Sequence, residues 1–501
     1  MPRTALLIAL VTGAIFLLTV GNWLIYANDE GLYLDGGVRV FDGQVPYRDF
    51  FAITGPGTFW LLAALFRIFG VSLRTARLLR ALDLAAMTGL TYWIARRMGS
   101  RFMAFIAAVA FAALAVGIPN GLVVNHRWES NAFALAAIAA TIRLMERPGW
   151  RPAAAAGGLA ILGAWCTPSA WLVALVTGGW ILCQKTARRF WPAFAFGAAA
   201  TGLIPAAALT AQGALRPMIQ SMFWIRARYP LANRLVYGAV PDNPLRLIAA
   251  AHGFQILTTA LFVLATCLPA ILPLLVAIAW LPEAWKLRGK ETFLLLSGAA
   301  LVASLLPRWD LMHLLFISPV FVILAAVWFE RHARGILAAA TGIAVLIPVL
   351  IMAAANLFGH TSRETVSTPV GTLEASPADA RQLRLALAVP PGGTLFVFPY
   401  QAMFYFLTGA RNPTEYSFLQ PGMMGPEDDR RAASQLRARP PEWVLYGDLP
   451  PAYFLRIWPS SNPASLRMPA VEDFIRNRYA PPPGSSDAAV EYRLLRLRKG
   501  L

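Results

Sequence analysis

The sequence predicts a polytopic α-helical membrane protein that ends in a small α/β domain. Hydrophobic residues make up 57% of the chain, charged residues make up 14%, and the mean hydropathy is +0.54. Soluble domains carry roughly 25% charged residues. Long uncharged apolar runs alternate with short loops rich in Lys and Arg. This alternation is typical of a chain that crosses a membrane many times.

The net charge of +18 is explained by the same loops. In a soluble protein such a charge would suggest nucleic acid, but Lys and Arg also gather in the cytoplasmic loops of membrane proteins. We therefore predict no nucleic-acid partner. The cysteines Cys166, Cys183 and Cys267 lie inside apolar segments, which predicts neither a disulfide nor a thiolate metal site.

The first apolar run, Ala5 to Tyr26, is longer than the roughly 7–15 residues of a signal-peptide core. We predict an uncleaved first span with a cytoplasmic N-terminus. Residues 27–57 then form an external loop. Thr58 to Gly70 is too short to span and contains Arg67, so an amphipathic helix at the membrane interface is expected.

Further apolar segments bring the predicted total to about eleven spans within a transmembrane domain of residues 1–358. The predicted segments are Thr75–Ala95, Phe102–Ile118, Asn131–Leu144, two runs flanking Thr167–Ser169, Trp191–Ala211, Leu247–Leu281, Thr292–Leu306, Leu314–Phe329 and Ile336–Leu357. Between two of them, Gln212 to Arg246 is predicted as a long external loop. It carries several arginines on the outer side, against the positive-inside tendency, which indicates a functional role.

Residues 359–501 have a different composition, with Pro, Arg and Asp throughout and no spanning segment. Ser376 is a predicted helix N-cap, since Pro377 and Asp379 follow it. The predicted strands are Thr394–Phe398, Trp443–Tyr446 and Ala489–Leu497, and the predicted helices are Phe404–Leu407, Asp428–Arg437 and Val471–Arg478. The pattern predicts a small α/β domain on the extracytoplasmic side.

An unusual concentration of carboxylates follows the first span. Five acids lie within about two dozen residues beside an apolar run, where carboxylates are rare unless solvated or used: Asp29, Glu30, Asp35, Asp42 and Asp49. Sugar transfer from a phosphate-linked carrier to a hydroxyl needs a base for the proton and cations for the phosphate. Asp29 and Glu30 are placed to supply the base. The alternative is a solvated loop whose acids only cap helices.

Cationic groups on the predicted outer face are candidates for binding the donor phosphate, and the Arg guanidinium suits phosphate geometry best. The candidates are Arg48, His126, Arg127, Arg226, Arg228, Arg308 and His313. Arg226 and Arg228 are favoured because they lie in the long external loop. For each arginine the alternative is contact with lipid headgroups or pairing with a nearby acid.

These residues also resemble the GT-C clan of membrane glycosyltransferases, in particular the bacterial relatives of protein O-mannosyltransferases and of lipid A aminoarabinose transferases. The resemblance covers most of the chain. It rests on Asp29-Glu30-Gly31 directly after the first span, the segment Gly43–Phe50, Gly55-Pro56-Gly57, Arg308-Trp309-Asp310 with His313, and the segment Phe398–Thr414.

The resemblance implies a multi-pass glycosyltransferase of the cell envelope, moving a hexose or pentose outside the inner (cytoplasmic) membrane. The donor would be a polyprenyl-phosphate sugar and the acceptor an extracytoplasmic glycan, lipid or protein. Asp29 would be the general base or an orienting acid, and Glu30 its neighbour and an alternative to it. Asp49 would be a second acid, a carboxylate near the acceptor or near a cation. Some members of the clan bind a divalent metal near these acids. No tight ligand spacing appears here, so a metal at Asp29 and Asp49 stays open.

Two other functions fit parts of the sequence. A transporter or flippase of lipid-linked sugars would also need an amphipathic cavity and outward arginines. Such proteins often pair discontinuous helices in two matching halves, a pattern not found in this sequence. A non-catalytic scaffold with an external binding domain is disfavoured by the acids that directly follow the first span.

Overall fold

The computed structural model describes residues 3–25, 28–240, 244–283, 289–332, 335–359, 362–483 and 490–498. The first part of this chain is helical. Its helices are α1 (Arg3–Val20), α2 (Asn28–Phe41), α3 (Gly57–Phe69), α4 (Leu73–Ala95), α5 (Arg101–Val116), α6 (His126–Glu146), α7 (Trp150–Cys166), α8 (Trp171–Cys183), α9 (Trp191–Ala211), α10 (Leu215–Asn233), α11 (Pro244–Ala249), α12 (Phe254–Trp280), α13 (Lys290–Ala303), α14 (Leu311–Phe316), α15 (Ser318–His332) and α16 (Gly335–Phe358).

The remaining part mixes strands and helices. In chain order they are β1 (Glu364–Thr368), β2 (Gly371–Ala375), α17 (Pro377–Ala386), β3 (Leu395–Phe398), α18 (Met403–Thr408), α19 (Pro426–Ala438), β4 (Trp443–Tyr446), α20 (Pro451–Ile457), α21 (Pro469–Arg478), β5 (Tyr479–Ala480) and β6 (Arg493–Leu497). Short 3-10 turns lie at Pro119–Leu122, Pro168–Ala170, Arg188–Phe190, Leu281–Glu283 and Pro463–Ser465.

Most apolar segments predicted from hydropathy are helical, with ends within a few residues of those expected. The single span predicted over Leu247–Leu281 is wrong in its first part, because α11 ends at Ala249 and α12 begins only at Phe254. The first helix ends at Val20, before the predicted end at Tyr26. Tyr26 and Ala27, at the predicted end of the first span, lie outside the described residues, as does Ala489. Two stretches that we predicted as loops are helices. Within 27–57 lies α2, whose Asp29 and Glu30 stand in the first turn and Arg39 in the last, an order that the helix dipole favours. Within Gln212–Arg246 lies α10.

Three helices in the described residues are long and apolar enough to cross a membrane by length and composition: Arg3–Val20, Arg188–Ala211 and Phe254–Glu283. Shorter apolar helices are Gly57–Phe69, Arg101–Val116, Pro168–Cys183 and Gly342–Phe358. Large apolar side chains point outward from these helices, such as Phe196 at 73% exposure and Ile278 at 68%. Surfaces of this kind are stable against lipid rather than water. The count of about eleven spans stays a prediction.

The basic turns predicted for one side of the membrane do meet at one end of the helices. Glu146, at the end of α6, pairs with Arg97 after α4 and, at 2.6 Å, with Lys290 at the start of α13. Glu330 near the end of α15 accepts a hydrogen bond from the backbone N–H of Ser100, before α5. The opposite end of α6 is roughly 30 Å away, since its 21 residues each rise about 1.5 Å.

The C-terminal part contains two sheets. A hairpin pairs β1 with β2 antiparallel, and a four-stranded sheet has the order β3-β4-β6-β5, with β3 and β4 parallel and the other pairs antiparallel. The three predicted strands are β3, β4 and β6, whereas β1, β2 and β5 were not predicted. Ser376 caps α17 as expected, because its side chain accepts a hydrogen bond from the backbone of Asp379.

The C-terminal part is packed directly on α2. The backbone of Glu374 in β2 exchanges hydrogen bonds of 2.8 Å with Asn22 and Leu24, just before α2. A Cβ at Gly31 would collide with the backbone of Met403 at the start of α18, so only glycine allows this approach. A shared apolar core joins Tyr33 and Leu34 of α2 to the hairpin and to α18. This packing holds the first acids of α2 beside the C-terminal part.

Candidate active site

A cavity of about 360 Å³ lies at the end of the helices opposite the basic turns. Its walls are formed by α2, the start of α6, the turn before α8, α10, the segment leading to α14, and the C-terminal part. Six of its lining residues are acids, arginines or histidines, and all six were candidates from the sequence: Asp29, His126, Arg127, Arg226, Arg308 and His313.

Asp29 is the carboxylate of this cavity. Its side chain is exposed within the cavity, where many protein atoms surround the carboxylate. Asn125 donates a hydrogen bond of 3.2 Å from Nδ2 to Oδ2 of Asp29. Burial raises the pKa of Asp29, and the nearby guanidinium groups of Arg308 and Arg127 oppose this rise. A carboxylate with a raised pKa is a better proton acceptor.

Arg308 is held by a polar cluster beside Asp29. Its Nε donates to Oδ2 of Asp310, and its Nη1 donates to Oδ1 of Asn233 at 3.0 Å. Burial raises the pKa of Asp310, but its partners His313 and Arg308 outweigh burial and keep the pKa well below the ordinary range. The cluster therefore fixes an ionised Asp310 and one guanidinium at the cavity wall.

His313 is oriented by the same carboxylate. Asp310 Oδ1 accepts hydrogen bonds from the backbone N–H of His313 at 3.0 Å and from its ring Nδ1 at 2.8 Å. Burial lowers the pKa of His313 to about 4, so the ring is neutral at pH 7. Because an ionised carboxylate only accepts, Nδ1 carries the ring proton and Nε2 is left as an acceptor. His313 can thus accept a hydrogen bond from a substrate hydroxyl.

The other cations differ in their surroundings. Arg127 is 9% exposed, and within the described part of the chain its Nε has no hydrogen-bond partner. Arg226 of α10 is exposed. The ring Nδ1 of His126 lies 2.7 Å from Oγ1 of Thr167. An unpaired buried guanidinium N–H is unfavourable, so Arg127 is the group best placed to gain from an anionic ligand.

Four candidates from the sequence do not line the cavity. Arg48 and Asp49 form a partly exposed pair at 2.7 Å. Arg228 packs against Gly425, before α19. Glu30 is fully buried, where Arg77 Nη2 lies 2.8 Å from one carboxylate oxygen and the backbone N–H of Val124 donates to the other at 3.0 Å.

Several lining residues were not predicted. From the helical part they are Tyr33, Asn125, Thr167, Tyr229 and Asn233, and from the C-terminal part they are Tyr400, Phe418, Gln420 and Trp458. Asn125 could have been found, since it directly precedes His126 and is a good helix N-cap. Tyr400 lies in the segment Phe398–Thr414 that carries the resemblance. Phe418, Gln420 and Trp458 had no comparable signal, because they reach the cavity only through long-range packing.

An apolar groove of about 290 Å³ adjoins the cavity. Pro168 and Met222 line both spaces. The groove is otherwise bordered by residues of the segment before α3 and of α7, α9 and α10, and they are mainly apolar: Tyr47, Gly55, Pro56, Ile161, Ala164, Trp165, Gly202 and Met218. A polar cavity and an apolar groove thus share one wall, as an amphiphilic ligand requires.

In the part of the chain that the structure describes, the donor groups around Asp29 and Asp49 do not form a site for a divalent metal. Among the described residues, no cluster of three or more His, Cys, Asp or Glu side chains is placed to hold an ion. Asp49 does not line the cavity with Asp29, and its carboxylate accepts from Arg48 and from the backbone N–H of Val45 at 2.7 Å. Asp29 and Asp49 therefore do not fit a shared metal site.

No family model matches the chain, and no curated protein matches it. Several solved structures are similar to the chain. ArnT from Cupriavidus metallidurans bound to undecaprenyl phosphate has 12% identity and a TM-score of 0.55, over 91% of this chain and 94% of that chain. The apo oligosaccharyltransferase of Archaeoglobus fulgidus has 12% identity and a TM-score of 0.56, over 98% of this chain and 75% of that chain. The same enzyme tethered to an acceptor peptide has 11% identity and a TM-score of 0.51, over 96% of this chain and 72% of that chain.

Both neighbours are GT-C glycosyltransferases. At these identities the likeness shows the fold alone. The GT-C fold predicted from the acids after the first span and from the later motifs is therefore confirmed.

Proposed function

We propose, from this GT-C fold, that the protein transfers a sugar from a polyprenyl-phosphate donor to a hydroxyl of an extracytoplasmic acceptor. One observation carries the proposal: a single cavity holds the Asp29 carboxylate together with Arg127, Arg226 and Arg308, and it adjoins an apolar groove. A donor with a sugar, a phosphate and a long hydrocarbon chain needs a carboxylate near the sugar, cations for the phosphate and an apolar groove for the chain.

Asp29 is the proposed general base. The acceptor oxygen attacks the anomeric carbon of the donor, the bond from that carbon to the phosphate oxygen breaks, and the hydroxyl proton passes to Asp29. Polyprenyl phosphate leaves with the bonding electron pair. The raised pKa of Asp29 supports this role, because a base works best when its pKa approaches the working pH.

Arg127 and Arg308 are the proposed phosphate ligands, with Arg226 at the exposed rim. Arginine binds phosphate oxygens through paired N–H groups and stabilises the charge that develops on the leaving group. The unpartnered Nε of Arg127 supports this assignment. So does the neighbour ArnT, which was solved with undecaprenyl phosphate. The apolar groove beside Pro168 and Met222 would take the first isoprene units.

The remaining candidates take other proposed roles. Glu30, paired with Arg77 and bonded to Val124, positions α2 and thereby Asp29. Arg48 and Asp49 form a surface pair. The cavity lies opposite the basic turns, which supports an extracytoplasmic active site in a multi-pass protein of the inner membrane. Residues 359–501 would be an extracytoplasmic domain, since they line the same cavity.

Donor binding is tested with the full chain in nanodiscs, using undecaprenyl phosphate and its neutral counterpart undecaprenol. We expect undecaprenyl phosphate to raise the Tm more than undecaprenol does. Arg127→Gln and Arg308→Gln should each weaken phosphate-dependent binding by about tenfold to a hundredfold, as charged hydrogen bonds contribute about 1.5–3 kcal/mol. Arg48→Gln is the matched control and should bind as the wild type does. Equal binding of both lipids would contradict the proposal.

Transfer is tested by mass spectrometry of glycans and lipids from a deletion strain complemented with variants. Asp29→Asn should fail to restore the missing product, whereas Asp49→Asn should restore it. A product that persists with Asp29→Asn would remove Asp29 from the mechanism. Movement of a lipid-linked sugar across vesicles that contain no acceptor would indicate the transporter alternative instead.

A further inference from the structure

The C-terminal part contributes a neutral wall to the cavity. Four of its residues line the space, and none is charged: Tyr400, Phe418, Gln420 and Trp458. Among the described lining residues, every ionisable acid, Arg or His comes from the chain up to His313. The two parts of the chain therefore supply different chemistry to one cavity.

The aromatic members of this wall are held rigidly. Tyr400 meets Trp458 edge to face, with ring centroids 5.2 Å apart at an angle of 77°. The backbone N–H of Leu419 donates to the carbonyl of Pro399 at 2.7 Å and so ties the segment of Phe418 to that of Tyr400. Tyr400, Phe418 and Trp458 are 3%, 7% and 7% exposed. They form a preformed surface with little freedom to lose on binding.

Gln420 and Thr54 each bring to this wall a polar group that lacks a hydrogen-bond partner within the described residues. Gln420 is 6% exposed, and its Nε2 has no hydrogen-bond partner. Thr54, which enters from the segment before α3, is also 6% exposed, and its Oγ1 is unpaired. Buried amide and hydroxyl groups usually have partners. The amide donor of Gln420 and the hydroxyl of Thr54, beside aromatic rings, therefore suit a ligand that carries neutral hydroxyl groups.

We propose that this wall, Tyr400, Phe418, Gln420 and Trp458 with Thr54, is a binding site for an uncharged sugar ring. Aromatic rings take the apolar face of the sugar, and Gln420 and Thr54 bond its hydroxyls. A phosphate would find no cation here, and a hydrocarbon chain would leave both polar groups unpaired. The inference rests on the proposed function. The ring belongs either to the donor or to the acceptor.

Binding in nanodiscs tests the site with the full chain. The probes are bare undecaprenyl phosphate, undecaprenyl phosphate bearing glucose or mannose, and methyl glucoside and mannoside added with bare carrier. The variants are Gln420→Leu and Trp458→Leu, with Trp458→Phe as the conservative change and Gln255→Leu, at an exposed position, as the matched control. All variants should bind bare undecaprenyl phosphate equally, which also shows that they are folded.

If the donor sugar occupies the wall, Gln420→Leu and Trp458→Leu will weaken the binding of the glycosylated carriers by about fivefold to tenfold. The binding of the methyl glycosides will then be unchanged. If the acceptor occupies it, only methyl glycoside binding will weaken. Trp458→Phe should retain most of the affinity. The proposal is overturned if both leucine variants bind every sugar probe as the wild type does. It is also overturned if the wild type binds no glycosylated carrier more tightly than the bare carrier and binds no methyl glycoside. Failure to bind the bare carrier would instead count against the proposed transferase.

Discussion

Asn125 links the candidate base to the candidate phosphate ligand. Its Nδ2 donates to Oδ2 of Asp29 at 3.2 Å, and its Oδ1 accepts from the backbone N–H of Arg127 at 3.0 Å. One side chain thus orients the carboxylate of α2 and caps α6. Asn125 therefore connects the start of α2 to the start of α6 at the cavity wall.

Asn125→Ala should reduce kcat by about tenfold, corresponding to about 1.4 kcal/mol, because Asp29 loses a hydrogen bond that orients it. It should also lower the Tm, because removing an N-cap costs about 1 kcal/mol. Steady-state transfer assays and thermal unfolding measure the two effects.

Asn125→Asp is the matched control for this prediction. Aspartate preserves the cap acceptor for Arg127 but removes the donor to Asp29. The Tm should therefore stay closer to the wild type than with Asn125→Ala, while kcat falls at least as far. A variant with normal kcat would show that Asn125 does not orient Asp29.

Asp29→Asn should raise the Tm at neutral pH although it abolishes transfer. Burial raises the pKa of Asp29, so the folded state binds its proton more tightly than the unfolded state does. Stability is then fully present below the ordinary pKa of the carboxyl and declines as the pH rises through the raised value. Asparagine removes this loss. The Tm advantage of the variant should narrow in acidic buffer, and an advantage independent of pH would contradict this account.

Arg308→Gln should move the acidic limb of the pH–rate profile to higher pH. The Arg308 guanidinium lowers the pKa of Asp29, and without it the carboxylate takes up a proton at higher pH. Because the base must be ionised, activity is lost earlier as the pH falls. Arg308→Lys keeps the charge and should shift the limb less. Identical limbs in the wild type and Arg308→Gln would mean that the limb does not report Asp29.

Glu30→Gln should destabilise the protein by about 3–5 kcal/mol, since it leaves the Arg77 guanidinium buried and unpaired. Both side chains of the 2.8 Å pair are inaccessible to solvent. The double variant Glu30→Leu, Arg77→Met should recover part of the loss. Asp49→Asn is the control, because the Arg48–Asp49 pair is partly exposed and such pairs contribute about 1 kcal/mol or less. Equal effects in thermal unfolding would refute the buried-pair account.

The helices could be predicted well because their signals are local. Apolar runs and basic turns define most of them, and Ser376 with Pro377 marks the start of α17. Prediction failed where local signals conflicted. The acids and glycines of α2 and the arginines of α10 suggested loops. Packing against the C-terminal part favours helix in α2, where Gly31 meets Met403. The β1–β2 hairpin was missed because its strands are short and half exposed.

The sequence by itself predicted a helical membrane protein, carried motifs that resemble the GT-C clan, and singled out Asp29 and several arginines as candidates for chemistry. The comparison of structures then confirmed the GT-C fold. Only the tertiary structure decided which candidates share a cavity. It separates Asp29 from its neighbour Glu30, since successive residues of a helix point in different directions. It also brings Gln420 and Trp458 to the site across most of the chain. Such placement depends on long-range packing, which leaves no periodic pattern in the sequence.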